Sequence, residues 1–187
     1  MAFSRRQFFG AFLADRGVAA LQPSSPHLIR RLLRHIEAAK VHAVIELGPG
    51  EGVATRPLLA VLPADARYVA IERNPTFVKT LRGADPRLDL VEGDVRDLRK
   101  FLAQKNFPMA DLVLASVPFT FLLPGEREAV VAAAKEHLLP GGKLIVFHQY
   151  SPLMVPILRR HFARVKIEFE PLNVMPCFLF DCTAVRT

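Results

Sequence analysis

Cysteine is scarce in this chain. Only Cys177 and Cys182 occur, five residues apart in one apolar run near the C-terminus. On a strand an odd spacing sends two side chains to opposite faces, so these two cannot readily bridge each other. There is no C-x-x-C pair and no Cys/His cluster, which removes the usual metal signatures. A reducing cytoplasm suits such a composition. Long apolar runs are also missing: none approaches the ~18 residues of a membrane-crossing helix. Two nucleotide signatures are absent, the G-x-G-x-x-G of dinucleotide folds and the G-x-x-x-x-G-K-[ST] phosphate loop. No internal repeat, low-complexity segment or linker breaks the 187 residues, so one domain is expected over residues 1–187. Half the residues (51%) are hydrophobic, enough for a sizeable core.

Acidic residues are outnumbered, 18 against 25 basic, giving a net charge of +7 and a pI near 9.9. Such a balance points to an anionic partner, either nucleic acid or an acidic membrane surface. The excess is concentrated. Residues 1–40 hold seven basic residues (Arg5, Arg6, Arg16, Arg30, Arg31, Arg34 and Lys40) against Asp15 and Glu37. Residues 1–15 can form a helix with Phe8, Phe9, Phe12 and Leu13 on one side and Arg5 and Arg6 beside them. That pattern suits a helix lying in a membrane interface, and equally an amphipathic helix packed on the domain. Ser4-Arg5-Arg6-Gln7-Phe8-Phe9 looks like a twin-arginine export signal. Asp15 and Arg16 interrupt the apolar stretch such a signal needs, so the segment is read as part of the mature protein.

What is present is organised around residues 43–52, Ala-Val-Ile-Glu-Leu-Gly-Pro-Gly-Glu-Gly. Ala43–Leu47 reads as a short buried strand. Gly48, Gly50 and Gly52 follow at alternate positions, and a helical pattern comes next with Val53, Leu58, Leu59 and Leu62 on one side. A strand, a glycine turn and a helix form a ligand site, because glycine lets the backbone turn sharply and lets a ligand approach the main chain. Upstream, Ser25 is a good N-cap with Pro26 in the first helical position. That helix is expected to run to about Lys40, burying Leu28, Ile29, Leu32, Leu33 and Ile36. Ser25 and the helix N-terminus could also hold a carboxylate.

Downstream, strands are expected at Tyr68–Glu72, Leu88–Val91, Asp111–Ala115, Leu144–Phe147, Arg164–Phe169 and Cys177–Val185, the last antiparallel. Helices are expected at about Pro75–Leu81, Val95–Gln104, Pro124–His137 and from Ser151 to about Phe162, with a turn at Leu139–Lys143. Glu72 falls at the end of its strand, about 20 residues past the glycines, where a carboxylate can accept from both hydroxyls of a ribose. This alternation gives a three-layer α/β/α arrangement.

Glu46-x-Gly48-x-Gly50-x-Gly52 resembles the first motif of class I S-adenosylmethionine-dependent methyltransferases. The resemblance implies a Rossmann-like methyltransferase fold, a seven-stranded mixed sheet of order 3-2-1-4-5-7-6. Here it would carry an N-terminal helical extension at 1–40 and a catalytic core at 41–187. It implies S-adenosyl-L-methionine as cofactor and S-adenosyl-L-homocysteine as product. In that pattern Glu72 and its neighbour Arg73 lie at the ribose, Asp94 accepts from the adenine amino group and Val95 packs on the ring; Asp94 could equally cap the next helix. Ser116-Val117-Pro118-Phe119 is similar to the polar-x-Pro-aromatic motif with which amino-methylating members close the fourth strand, although Ser116 stands where adenine methyltransferases commonly use Asn or Asp.

Gly17-Val18-Ala19-Ala20 with Pro23-Ser24-Ser25-Pro26, together with the basic aromatic N-terminus and the chain length, is similar to bacterial phospholipid N-methyltransferases. That family implies an amino-lipid substrate of the phosphatidylethanolamine type. It also implies a cytoplasmic enzyme peripherally bound to an anionic membrane through residues 1–16. His148 and Tyr150, at the end of the fifth strand, are candidates to orient or deprotonate the amine, and Phe119 to shape the pocket or hold a methylated cation. The loop Glu170–Pro176 could wall the site. Alternatives are an RNA adenine or small-molecule methyltransferase, with nucleic acid the weaker partner, and a cofactor-binding scaffold without transfer activity.

Overall fold

A computed structural model describes residues 25–149, 152–173 and 176–185. Among them the elements in chain order are α1 (Pro26–Arg34), β1 (Ala43–Leu47), α2 (Thr55–Val61), β2 (Arg67–Glu72), α3 (Pro75–Leu81), β3 (Leu88–Glu92) and α4 (Leu98–Gln104). There follow β4 (Ala110–Ala115), α5 (Pro124–Glu136), β5 (Leu138–Gln149), α6 (Val155–His161), β6 (Arg164–Glu170) and β7 (Cys177–Thr183). The seven strands form one sheet in the order β3-β2-β1-β4-β5-β7-β6. The pairs from β3 through to β5 are parallel, and β7 runs antiparallel to both β5 and β6. This is the architecture and strand order that the glycine motif implies.

Strands buried on both faces read as continuous apolar runs, and the two faces separate by alternation. Ile45, Leu47, Val69, Ile71, Val113 and Val146 point into a core shared with Leu98 and Leu102 of α4, Val130 and Val131 of α5, and Ile157 and Leu158 of α6. Val44, Tyr68, Ala70, Leu112 and Ile145 point the other way, toward Leu28, Ile29 and Leu32 of α1 and Leu58 and Leu59 of α2. The expected opposite facing of the cysteines holds: Cys177 lies in one core and Cys182 in the other, both buried and free. Burial pushes each thiol up to about 12, which disfavours the thiolate.

Four boundaries differ from the sequence expectation. α1 ends at Arg34, not near Lys40. Lys143 takes the His35 carbonyl at 2.7 Å and the His35 ring holds Asp181 at 2.8 Å, so groups of the sheet set the stop; a 3-10 turn then covers Ala38–Lys40. β5 begins at Leu138 and includes the Pro140-Gly141-Gly142 segment expected as a turn. Gly141 N–H donates to Ala184 and Ala184 N–H to Gly142, so the backbone stays paired through a register shift. The helix expected from Val95 is a 3-10 turn over Val95–Asp97 that becomes α-helical at Leu98, and α6 starts at Val155.

α1 is bound into the sheet by more than its apolar face. Ser25 N–H donates to Asn173 Oδ1 at 2.7 Å, and Arg31 reaches Glu168 and Glu170, each at 2.9 Å. Leu32, fully buried among these contacts, is a sensitive point. Leu32→Ala is expected to cost about 2–5 kcal/mol, read as a lower midpoint in urea denaturation.

Candidate active site

The carboxyl ends of four parallel strands lie along one edge. Leu47 pairs with Ile71 on one side and with Ala115 on the other, and Glu72 stands opposite Glu92. Main-chain bonds extend this alignment past the ladders. Gly48 N–H donates to the Ile71 carbonyl and Ser116 N–H to the Leu47 carbonyl, each at 2.9 Å, and Gly93 N–H to the Glu72 carbonyl at 3.0 Å. The glycine turn, Glu72, Asp94 and Ser116 are thus held in a fixed relation by backbone alone. β1 lies where the strand order reverses, the position at which open α/β sheets take ligands.

Gly48, Gly50 and Gly52 have φ of +73°, +55° and +79°. A Cβ on Gly52 would sit 2.3 Å from Leu81 Cδ2, so only hydrogen lets the turn pack on α3. At Gly50 a Cβ would meet nothing within 4 Å. The demand there is the left-handed φ alone, and the space beside the backbone is open to a ligand.

Glu72 is buried beneath this turn. Its Oε2 accepts from Gly50 N–H at 3.0 Å and its Oε1 from Asn74 N–H at 2.8 Å. Burial raises its pKa, and the amides of Asn74, Gly50 and Arg73 pull it back. Each carboxylate oxygen keeps a second lone pair, so the group can still accept from a diol. Arg73 beside it is exposed.

Glu46 faces the α1–α2 side of β1, fully buried. Tyr68 O–H and Thr55 O–H both donate to its Oε2, at 2.8 and 2.7 Å. Its Oε1 has no partner among the described residues, and the same is true of Oε1 of Glu51 in the turn. Burial pushes Glu46 up to about 7 against the pull of Thr55 and Tyr68. Two orphaned carboxylate oxygens beside an open glycine backbone, with Glu72 next to them, fit a cofactor that carries positive charge and a ribose. S-adenosylmethionine, with its ammonium and sulfonium, is such a molecule.

Asp94 realises the capping alternative. Its Oδ1 accepts from Arg96 N–H and Arg96 Nε, and its Oδ2 from the same guanidinium, all at 2.9 Å. That contact holds the carboxyl below its usual range. The side chain is partly exposed and keeps lone pairs for a further donor. Val95 packs, half-buried, against the core.

The Ser116–Phe119 corner is a tight turn. Phe119 N–H donates to Val117 at 2.8 Å and Phe121 N–H to Pro118 at 2.9 Å. The Phe119 ring is buried in the core on the α4–α6 side. Arg127 of α5 clasps the corner from behind, with Nε donating to the Phe119 carbonyl at 2.7 Å. His148 is buried near the end of β5. Since Ala115 stands opposite Val146, His148 lies two residues further along, level with this corner. Tyr150 and the whole of residues 1–24 lie outside the described residues.

Ser25 comes to the same edge through its bond to Asn173 in the β6–β7 loop; its hydroxyl caps α1 by accepting from Leu28 N–H at 3.2 Å. Tyr68 and Thr55 carry no local signal of a place in the site, whereas Arg127 is an arginine in the first turn of the helix that follows the corner and Asn173 falls within the Glu170–Pro176 loop expected to wall it.

Residues 44–142 match the profile of the methyltransferase domain family. The ornithine lipid N-methyltransferase of Singulisphaera acidiphila is 32% identical over 183 residues, covering 96% of this chain and 95% of that one. Two solved structures share the fold. A precorrin-6y C5,15-methyltransferase from Geobacter metallireducens superposes with a TM-score of 0.69 at 16% identity, covering 84% of this chain and 88% of the other. The N-methyltransferase NodS from Bradyrhizobium japonicum superposes with a TM-score of 0.69 at 15% identity, covering 86% and 96%.

The buried state of Glu46 gives a pH signature. Its folded pKa lies above its ordinary value, so its contribution to stability is full below about pH 4.5 and is lost as pH rises toward about 7. Glu46→Gln is expected to remove that decline, so that the urea midpoint, measured from pH 4 to 8 without ligand, falls less steeply than in the native chain.

Proposed function

The chain belongs to the class I S-adenosylmethionine-dependent methyltransferases, and from that premise we propose that it methylates the amino group of a lipid head group at a membrane surface. The observation that carries this reading is the similarity to the ornithine lipid N-methyltransferase, which spans the acceptor half of the chain as well as the cofactor half. The acceptor we favour is of the phosphatidylethanolamine type. We place the enzyme in the cytoplasm, peripherally bound to an anionic membrane through residues 1–16, whose phenylalanines and arginines suit that contact.

Glu72 would hold the ribose hydroxyls and Asp94 the adenine amino group, with Val95 against the ring. Glu46 and Glu51 would lie toward the cationic part of the cofactor, beside Gly48–Gly52. When bound, S-adenosylmethionine would supply a methyl group on its sulfonium sulfur, whose carbon is already activated toward a nitrogen lone pair and leaves sulfur with the broken bond's electron pair. The remaining task of the chain is alignment and one proton. An ammonium has no lone pair, so the head group must shed a proton before it can accept. His148, buried level with the Ser116–Phe119 corner, would take or relay that proton, and Tyr150 is the second candidate for that role. Ser116 supports an aliphatic amine over a nucleobase. A hydroxyl lacks the paired donor and acceptor geometry of an amide.

The decisive experiment offers labelled cofactor with separate pools of phospholipid, RNA and small amines. Label is expected in the amino-lipid pool; label confined to RNA or to a small amine would overturn the proposal. Glu72→Ala is expected to weaken S-adenosylmethionine binding about 10–100-fold, the loss of charge-assisted hydrogen bonds, measured by isothermal titration.

A further inference from the structure

Three exposed apolar side chains stand out on the carboxyl edge of the sheet. Among the described residues the most exposed large apolar side chains are Leu123 at 68%, Leu172 at 64% and Phe121 at 61%. Phe121 and Leu123 follow β4. Leu172 lies in the β6–β7 loop, which the pairing of Gln149 with Cys177 and of Cys177 with Glu170 brings to the same edge. β4 and β6 are three strand spacings apart, roughly 14 Å. The two loops therefore flank the end of β5, where His148 lies.

A cationic cleft of about 480 Å³ opens beside Leu172, lined by His27, Arg30, Arg31 and Arg34 of α1 and by Glu170. The spacing 27, 30, 31, 34 puts these four on one helix face. The charge of Arg31 is taken up by Glu168 and Glu170. Arg30 and Arg34 are exposed and have no acidic partner among the described residues; Arg30 contacts the His27 ring at 3.0 Å.

We infer that this edge is a docking surface for an anionic lipid bilayer: Arg30 and Arg34 meet lipid phosphates in the cleft while Leu172, Phe121 and Leu123 enter the acyl boundary. Guanidinium groups beside exposed aliphatic and aromatic side chains match the two layers of such an interface, polar heads outside and hydrocarbon within. A nucleic-acid surface would use the arginines and leave the two leucines in water. The surface is built from residues other than 1–16. It turns the Ser116–His148 region toward the bilayer, and in this sense it rests on the reading that the acceptor is a lipid.

The test uses the full chain and co-sedimentation with phosphatidylcholine vesicles prepared with and without phosphatidylglycerol. Binding is expected to need phosphatidylglycerol and to weaken with salt. Arg30→Glu/Arg34→Glu is expected to weaken it at least tenfold. Phe121→Ser/Leu123→Ser is expected to weaken it on the same vesicles, with melting temperature and cofactor binding confirming that each variant is folded. Methylation of amino lipid in neutral detergent micelles is measured in parallel and is expected to survive Arg30→Glu/Arg34→Glu. Vesicle binding unaltered by both double variants, or lost only with Arg5→Glu/Arg6→Glu, would overturn the docking inference while leaving micelle methylation, and so the acceptor, intact. Binding that depends on Arg30 and Arg34 without any lipid methylation would support the docking surface and defeat the acceptor reading.

Discussion

β1 is wedged between two parallel neighbours and buried on both faces, and this constraint positions everything else. Each of its five residues is buried. Parallel strands need crossovers, and the crossovers place helices on both faces. The glycine turn emerges where the sheet switches direction, its amides and carbonyls bonded to β2 and to the start of the Ser116 corner. No side chain of the site has to establish that geometry. The backbone does so, and Glu72 adds the bond to Gly50 that ties turn to strand.

Against this rigid frame Glu46 is a deliberate weakness. A buried carboxyl group held by two hydroxyls, with one oxygen unpartnered among the described residues, costs free energy that an apolar residue would not. Burial pushes its pKa up to about 7. A positively charged ligand nearby would stabilise its ionised form, so the same burial that costs stability would add to the attraction of a cationic cofactor.

Local pattern made much of this legible. Ala43–Leu47 reads as a buried strand because both its faces are apolar, and the alternate glycines mark a turn that only positive φ can close. Glu72 stands out because it ends a strand at the right distance from them. What stayed hidden depends on partners far along the chain. The end of α1 is set by Lys143 and Asp181, more than a hundred residues away. Pro140-Gly141-Gly142 has turn composition, yet Ala184 keeps it paired within β5. Nothing near Phe119 signals that its ring turns into the core, and the clasp by Arg127 depends on how α5 packs back on the corner.

The bonds that seat α1 span almost the whole chain: Ser25 to Asn173 is 148 residues, Arg31 to Glu170 is 139 and His35 to Asp181 is 146. β7, which completes the sheet between β5 and β6, is also the last of these seven strands to be made. During synthesis, which proceeds from the N-terminus, the first of these helices therefore leaves the ribosome long before its binding site exists. Ser25, Arg31 and His35 can find their native partners only once the β6–β7 hairpin has been made.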